Sequence, residues 1–284
     1  MTEWESYFKN PQPLKVYVLH TGYVHMSGNI HFNKKSPKFK TLPKDNRFNP
    51  VFSFLVQHPV RGRLLLDTGL HPSFARSSHG NFGRLLGSMV KTKAEPGQDV
   101  VSQMKKIGLE PKDVGLVILS HLHLDHPSSL PEFRDVAGLT VFAGQPELDI
   151  LRGAFGLFKG YLKGHLAGLD VRPIAFDLSL PPFDRVWDVF RDGSVLVLST
   201  PGHTPGHVSA LINARGGPIL LTFDAAHRRA NLTEDVPPIG DYPQASQSLR
   251  HIKAFLERYP HTRTFFAHDP DQLKELKLCP QYYD

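Results

Sequence analysis

Leu119-Ser120-His121-Leu122-His123-Leu124-Asp125-His126-Pro127 puts three imidazoles and one carboxylate within six positions, 121 to 126. Neutral imidazole and carboxylate suit a borderline divalent ion such as zinc, and no thiolate is present to build a structural cysteine site. The preceding run Leu116-Val117-Ile118-Leu119 is short, apolar and partly β-branched, which predicts a buried strand. On an extended chain His121 and His123 project to the same side and can share one ion; on a helix, residues two apart face away from each other. Asp125 and His126 are adjacent, so after a bend they can serve a second ion nearby. A chance group of surface histidines is the competing reading, and the clustering argues against it.

Outward from this stretch the same pattern recurs. Val195-Leu196-Val197-Leu198 is a predicted strand that delivers Pro201-Gly202-His203-Thr204-Pro205-Gly206-His207. A hairpin follows, from Val208–Ile212 to Ile219–Thr222 over Arg215-Gly216-Gly217, and its second strand stops at Phe223-Asp224. Thr264-Phe265-Phe266-Ala267 is a last strand, ending at His268-Asp269. Four apolar strands thus stop at His121, His203, Asp224 and His268. Strand ends that converge on one edge of a layered fold can assemble a single site.

Nearer the N-terminus, Val16–Leu19 is a predicted first strand ending at His20-Thr21-Gly22, followed by a loop rich in histidine and lysine from Gly22 to Pro50. Val51–Val56 and Arg63–Leu66 read as a hairpin whose second strand stops at Asp67-Thr68-Gly69. A carboxylate there is either turn chemistry or a group that orients a metal-bound histidine. Asp99 to Ile107 and Gln244 to Arg258 carry helical periodicity, and Leu139–Phe142 reads as another strand. Between residues 153 and 168, Gly156, Gly160, Gly164 and Gly168 recur every fourth position among Phe155, Leu157, Phe158, Tyr161, Leu162 and Leu166. Each glycine would weaken a helix by about 1 kcal/mol relative to alanine. The choice is between a helix packed closely through its glycines and a pliable apolar lid over a substrate tail, and we favour the lid.

The 284 residues suffice for one large domain, and no linker divides them; we expect one domain over 1–284, with residues 1–14 as an N-terminal arm and 269–284 as a C-terminal tail. The 24 prolines and 23 glycines point to many turns and function carried on loops. A single cysteine, Cys279, cannot form an internal disulfide. With no signal-peptide pattern at Met1–Ser6 and no apolar run of membrane-spanning length, the expected setting is cytoplasmic. The net charge of +6 is densest at Lys34, Lys35, Lys38, Lys40, Lys44 and Arg47, interleaved with Phe32, Phe39 and Phe48. A nucleic-acid surface would share that pattern, but with prolines inside it a solvated basic loop is the preferred reading, so neither nucleic acid nor membrane is expected as a partner.

Taken together, the His121-x-His123-x-Asp125-His126 motif, the turn around His203, Asp224 after a strand and His268 after the last strand resemble the metallo-β-lactamase superfamily. The resemblance implies an α/β architecture, an αββα sandwich with two metal ions at the loop edges of its sheets. By it, His121, His123 and His203 would hold one ion, and Asp125, His126 and His268 the other. Asp224 would bridge both, with Asp67 and His207 behind the ligands. Within the superfamily the pattern is most similar to the N-acyl-homoserine lactonases. The features that carry this are Leu65-Leu66-Asp67-Thr68-Gly69, the seven-residue turn, Thr222-Phe223-Asp224-Ala225 and His268-Asp269. Many of those lactonases have a tyrosine three positions after the bridging aspartate, where it contacts the substrate carbonyl; here His227 stands there, and it too can donate a hydrogen bond.

Two ions on these ligands, zinc by expectation although manganese, cobalt or iron suit the same donors, would bring the pKa of a shared water toward neutrality. The implied reaction is opening of an acylated lactone, with Asp224 on both ions, Asp125 passing a proton to the leaving oxygen, and His227 as donor to the carbonyl. Leu124, Phe82, Leu85, Leu86, Met89 and the Phe155–Leu166 segment, Phe158 included, are candidates to hold the acyl tail. Alternatives are a metal-dependent phosphodiesterase or another ester or thioester hydrolase of the same fold. Glyoxalase II is disfavoured because only 16 residues follow His268. A homodimer is compatible with the sequence, which does not decide oligomeric state.

Overall fold

The computed structural model of the protein describes residues 3–284. Its first sheet contains β1 (Lys15–Met26), β2 (Arg47–His58), β3 (Gly62–Leu66), β4 (Thr92–Lys93), β5 (Leu116–Ile118), β6 (Thr140–Ala143) and β7 (Val171–Pro173), in the order 4-1-2-3-5-6-7. The second contains β8 (Leu178–Leu180), β9 (Phe183–Asp188), β10 (Val195–Ser199), β11 (Val208–Ala214), β12 (Gly217–Phe223) and β13 (Arg263–Phe266), in the order 13-12-11-10-9-8. Both sheets are mixed: β3, β5, β6 and β7 run parallel in the first, and β12 and β13 are the parallel pair of the second.

Side-chain alternation along the strands builds the layers. Val16, Val18, Phe54, Val56, Leu64 and Leu66 of the first sheet face Val195, Val197, Ala210, Ile212, Ile219 and Leu221 of the second in the central core. The intervening Tyr17, Leu19, Leu55 and Leu65 point outward and are covered by Val100 and Met104 of the helix Val100–Lys106. On the far side Leu196, Leu198, Leu211 and Leu220 are covered by Ile252 and Phe255. Strands buried on both faces read as continuous apolar runs, which is why β3, β5, β10 and β12 stand out in the sequence.

The helices are α1 (Glu3–Phe8), α2 (Gly83–Met89), α3 (Val100–Lys106), α4 (Gln145–Arg152), α5 (Lys163–Leu166), α6 (Arg229–Glu234) and α7 (Tyr242–Arg258). Asp99 caps α3 by accepting from the Ser102 N–H at 2.9 Å, and Asp241 caps α7 through the Gln244 N–H at 3.1 Å. The outcome is the αββα sandwich the resemblance implied.

Several local expectations are corrected. The first strand does not stop at His20: β1 runs to Met26 through a bulge between His20 and Gly22, and β2 already starts at Arg47, so the basic loop is shorter than residues 22–50. That loop is anchored by Phe32 and Leu42, buried with Val236, and Lys38 Nζ donates to the Glu234 carbonyl at 2.7 Å. Residues 153–168 form neither one long helix nor a folded-over lid. Gly160, at φ +80°, separates a single turn at Leu157–Lys159 from the short helix Lys163–Leu166, and Gly168, at φ +82°, follows that helix. Trp4 of the N-terminal arm is buried among Phe183, Phe255 and Ile252, and the C-terminal tail pairs with β1 at Val16–Tyr283 and Val18–Leu278. Among the described residues no helix is long and apolar enough to cross a membrane.

Candidate metal centre

Every candidate ligand sits just past a strand end on one edge of the sandwich. β5 leads into the loop carrying His121, His123, Asp125 and His126; β10 leads to His203, β12 to Asp224 and β13 to His268. The exits are sharp. Phe223, at the end of β12, has φ +45°, and Asp67, after β3, has φ +57°, each a left-handed backbone that costs a non-glycine residue about 1–3 kcal/mol. In the turn before His203, Gly202 has φ +138°, and a Cβ there would collide with the Ala245 backbone, so only glycine lets this loop seat on α7.

Two groups of donor atoms result. His123 Nδ1 is 3.0 Å from His121 Nε2 and 2.9 Å from His203 Nε2. Donor atoms arranged tetrahedrally about one zinc would be about 3.3 Å apart, from Zn–N distances of about 2.0–2.1 Å. In the second group, His268 Nε2 lies 3.6 Å from Asp125 Oδ2, and His126 Nε2 lies 3.9 Å from Asp125 Oδ1. Asp224 stands between them. Its Oδ2 is 3.3 Å from His203 Nε2, and its Oδ1 is 3.3 Å from His268 Nε2 and 3.5 Å from His126 Nε2.

The polar atoms at this point lack other partners. Asp125 Oδ2, His126 Nε2, Asp224 Oδ1 and His268 Nε2 are all buried without a hydrogen bond among the described residues. Each such orphan costs about 1–3 kcal/mol. Four of them aimed at one another fit a divalent cation, and the oxygen and nitrogen donors fit a borderline one. The residues present therefore suit a pair of divalent ions.

Behind the donors, three of the rings are held by their other nitrogen. His126 Nδ1 meets Asp67 Oδ2 at 2.7 Å, His268 Nδ1 meets the Pro50 carbonyl at 2.8 Å, and His203 Nδ1 meets the Ile239 carbonyl at 3.0 Å. His207 Nε2 accepts the Asp224 backbone N–H at 3.0 Å, while its Nδ1 faces Thr200. Burial pushes His123 down to about 3 and His203 to about 4, and His121 well below its ordinary value, so these rings keep a lone pair free at neutral pH. Burial also opposes charge on His126, but Asp67, Asp125 and Asp224 together outweigh it and raise this ring to about 10. An ion seated there would displace that proton.

A model of the metallo-beta-lactamase superfamily matches residues 46–268, a span that contains every one of these donors. The chain belongs to the metallo-beta-lactamase superfamily. Curated members of this superfamily resemble it along most of their length. The N-acyl homoserine lactonase AttM of Azorhizobium caulinodans is 29% identical over 83% of this chain and 88% of its own. An N-acyl homoserine lactonase of a Bacillus species is 30% identical over 82% of this chain and 86% of its own. Among solved structures, an N-acyl homoserine lactone hydrolase with its product N-hexanoyl-L-homoserine at the catalytic metal centre superimposes with a TM-score of 0.77. It is 25% identical, covering 96% of this chain and 100% of that one.

As in other clefts at a sheet edge, the metallo-beta-lactamase fold here opens a pocket over the donors. Its volume is about 340 Å³, and Val24, Met26, Ile30, Met89, Val90, Leu124 and Ile239 wall it above His123, Asp125, His203, Asp224 and His227. Of the residues expected to hold an acyl tail, Leu124 and Met89 line it. The others do not. Phe82 is buried behind it with Phe74 and Leu70, where Leu86 also packs, and Leu85 is exposed. Phe155 and Phe158 stand 71% and 86% exposed outside the cleft, because the chain bends at Gly160, which itself reaches the wall.

Sequence reasoning also missed three supporting groups. Ser120 donates to Asp67 through both its N–H and its hydroxyl, each at 2.7 Å. Glu147, fully buried, accepts from the Leu122 N–H at 3.1 Å, the Gly206 N–H at 2.8 Å and the Tyr161 hydroxyl at 2.7 Å, and so ties the two ligand loops together. His31 and Arg228 lie behind His227. Only His31 gave a signal, as one of the histidines of a loop read as solvated.

Proposed function

We propose that this protein opens the lactone ring of N-acyl-homoserine lactones, with two divalent ions, zinc by expectation, held by His121, His123 and His203 and by Asp125, His126 and His268, and shared through Asp224. The observation that carries this reading is the split of Asp224, one carboxylate oxygen toward each histidine group, beneath an apolar cleft. The likeness to lactonases along most of the chain supports the substrate class. When bound, the ions would polarise the carbonyl and supply activated water near neutral pH.

The chain's own residues do the remaining work. The apolar wall takes the acyl tail and excludes water from the donors. His227 Nε2, on the cleft floor, hydrogen-bonds Asp224 Oδ2 at 3.0 Å and shares that N–H with the oxygen on which negative charge develops. Asp125, also on the floor, holds a proton for the ring oxygen as the acyl C–O bond breaks. Water adds to the acyl carbon, the ring oxygen leaves as an alcohol, and the new carboxylic acid releases one proton. The lone thiol, Cys279, is unpaired, which agrees with a reducing, cytoplasmic setting.

The test follows proton release from butanoyl- to dodecanoyl-homoserine lactones by metal-stripped and zinc-reloaded protein. Turnover that disappears on stripping and returns with zinc is expected. Absence of lactone turnover in protein that binds two zinc ions would overturn the substrate assignment, and a chromogenic phosphodiester and a thioester then identify the ester class.

A further inference from the structure

Behind the cleft a line of side chains leads away from Asp224. Arg228 Nη2 lies 2.7 Å from His31 Nε2, His31 Nδ1 lies 3.3 Å from His227 Nδ1, and His227 Nε2 lies 3.0 Å from Asp224 Oδ2. The direction of each hydrogen bond follows from its first member. A guanidinium has donors only, so His31 Nε2 must accept. Burial, His227 and Arg228 all disfavour charge on His31, and a neutral imidazole carries one proton, which is then on Nδ1. That N–H faces His227 Nδ1, which must accept it. The proton of His227 is left on Nε2, aimed at the centre.

We propose that His31 and Arg228 are positioning residues that fix His227 in its Nε2–H tautomer, so that it faces the metal centre as a permanent hydrogen-bond donor and not as a further ligand. Position alone does not make this distinction. His203, Asp224 and His227 present ligand atoms within 4.8 Å of one another, a grouping that would serve a metal if His227 offered a lone pair. The protonation pattern withdraws that lone pair.

The surroundings hold the line in place. His31 and His227 are both fully buried, with ring planes 86° apart. Asn231 Nδ2 donates to the His31 carbonyl at 2.7 Å, and the His227 carbonyl accepts the His268 N–H at 3.0 Å. Arg228 is fixed in turn by Asp45 at 2.7 Å and by the Asn49 side chain at 2.5 Å. A fixed donor needs no reorganisation when charge develops nearby, which is where such a group gains its effect.

This inference rests on the placement of Asp224 at the metal centre and of His227 as donor in the proposed lactonase. Its first test needs no substrate. Nitrogen-15 spectra of the histidine side chains in zinc-loaded wild-type protein are expected to show His227 protonated at Nε2 and bare at Nδ1. A proton on Nδ1, zinc coordination at Nε2, or a third zinc per chain would overturn the proposal, whether or not lactones are turned over. Arg228→Met and His31→Phe are then expected to lose the single tautomer while retaining two zinc ions per chain. Lactone kcat should fall by about 10²-fold, with KM within about twofold. Arg228→Lys, which restores a donor to His31 Nε2, should restore the tautomer. An unchanged His227 tautomer in both disruptive variants would sink the assignment, and if those variants unfold the wild-type spectrum alone decides it.

Discussion

Asp67 Oδ2 lies 2.7 Å from Nδ1 of His126 and receives the Ser120 hydroxyl at the same distance, which makes one buried carboxylate the support for both the ligand loop and one of its rings. Removing it should act on one ion more than on the other. Asp67→Ala frees the His126 ring and leaves the Ser120 N–H without its acceptor. The expected result is a loss of about 10–100-fold in affinity for the ion held by Asp125, His126 and His268. The ion held by His121, His123 and His203 should be retained. Stepwise zinc titration against a chelator measures both, and equal weakening of the two would contradict separate sites.

Glu147 makes a second demand. It joins the Leu122 N–H to the Gly206 N–H, and so the loop of His121 and His123 to the loop of His203. Glu147→Ala leaves two buried backbone donors and the Tyr161 hydroxyl unpaired, at about 1–3 kcal/mol each. Tyr161→Phe removes one neutral partner, for about 1 kcal/mol. Urea unfolding of zinc-loaded protein should therefore show a large loss for the first variant and a small one for the second. Equal losses would mean that the tyrosine, not the bridge between loops, carries the stability.

His165 offers a test of pH dependence away from the metal centre. It is 1% exposed, and neither ring nitrogen has a partner among the described residues. Burial, reinforced by His71 and Arg134, lowers it from 6.5 to about 3. Between those two values the unfolded chain binds the proton and the folded chain does not, so stability falls as pH drops from 6.5 toward 3. His165→Leu removes both the orphaned nitrogens and this linkage. The variant should be about 1–3 kcal/mol more stable at neutral pH, with a shallower decline on acidification. Thermal unfolding from pH 7 to pH 4 checks both, and an unchanged slope would show that another group, such as His20, governs the acid limb.

How far the sequence could be read depended on what each feature requires. The candidate donors were legible because strands buried on both faces read as continuous apolar runs, and each such run is followed within a few residues by a metal-binding residue type: His121, His203, Asp224, His268. β1 was cut short because His20-Thr21-Gly22 looks like a stop, whereas a bulge there absorbs the polar residues and lets pairing continue to Met26. The cleft was least legible. Its walls come from β1, the end of α2 and the segment before α7, through Val24, Met89 and Ile239, and no local periodicity relates such distant positions. His31 and Arg228 were hidden for a related reason, since a buried tautomer-setting pair looks in sequence like ordinary loop polarity.

Those cleft walls predict selectivity for the acyl chain. Each methylene moved from water to apolar surface contributes about 0.8 kcal/mol, so the four additional methylenes of an octanoyl over a butanoyl chain could contribute at most about 3 kcal/mol. The cleft is open on one side, so roughly half that is expected, a factor of about tenfold in kcat/KM. Ile239 is suited to test the cause. Its side chain is 42% exposed at the rim, so a charge is tolerated by the fold, and only its backbone carbonyl supports His203. Ile239→Asp should lower kcat/KM for decanoyl-homoserine lactone about tenfold and change the butanoyl value by less than twofold. A uniform loss across chain lengths would place the effect on the metal centre through His203, and no loss would show that the tail leaves the cleft by another side.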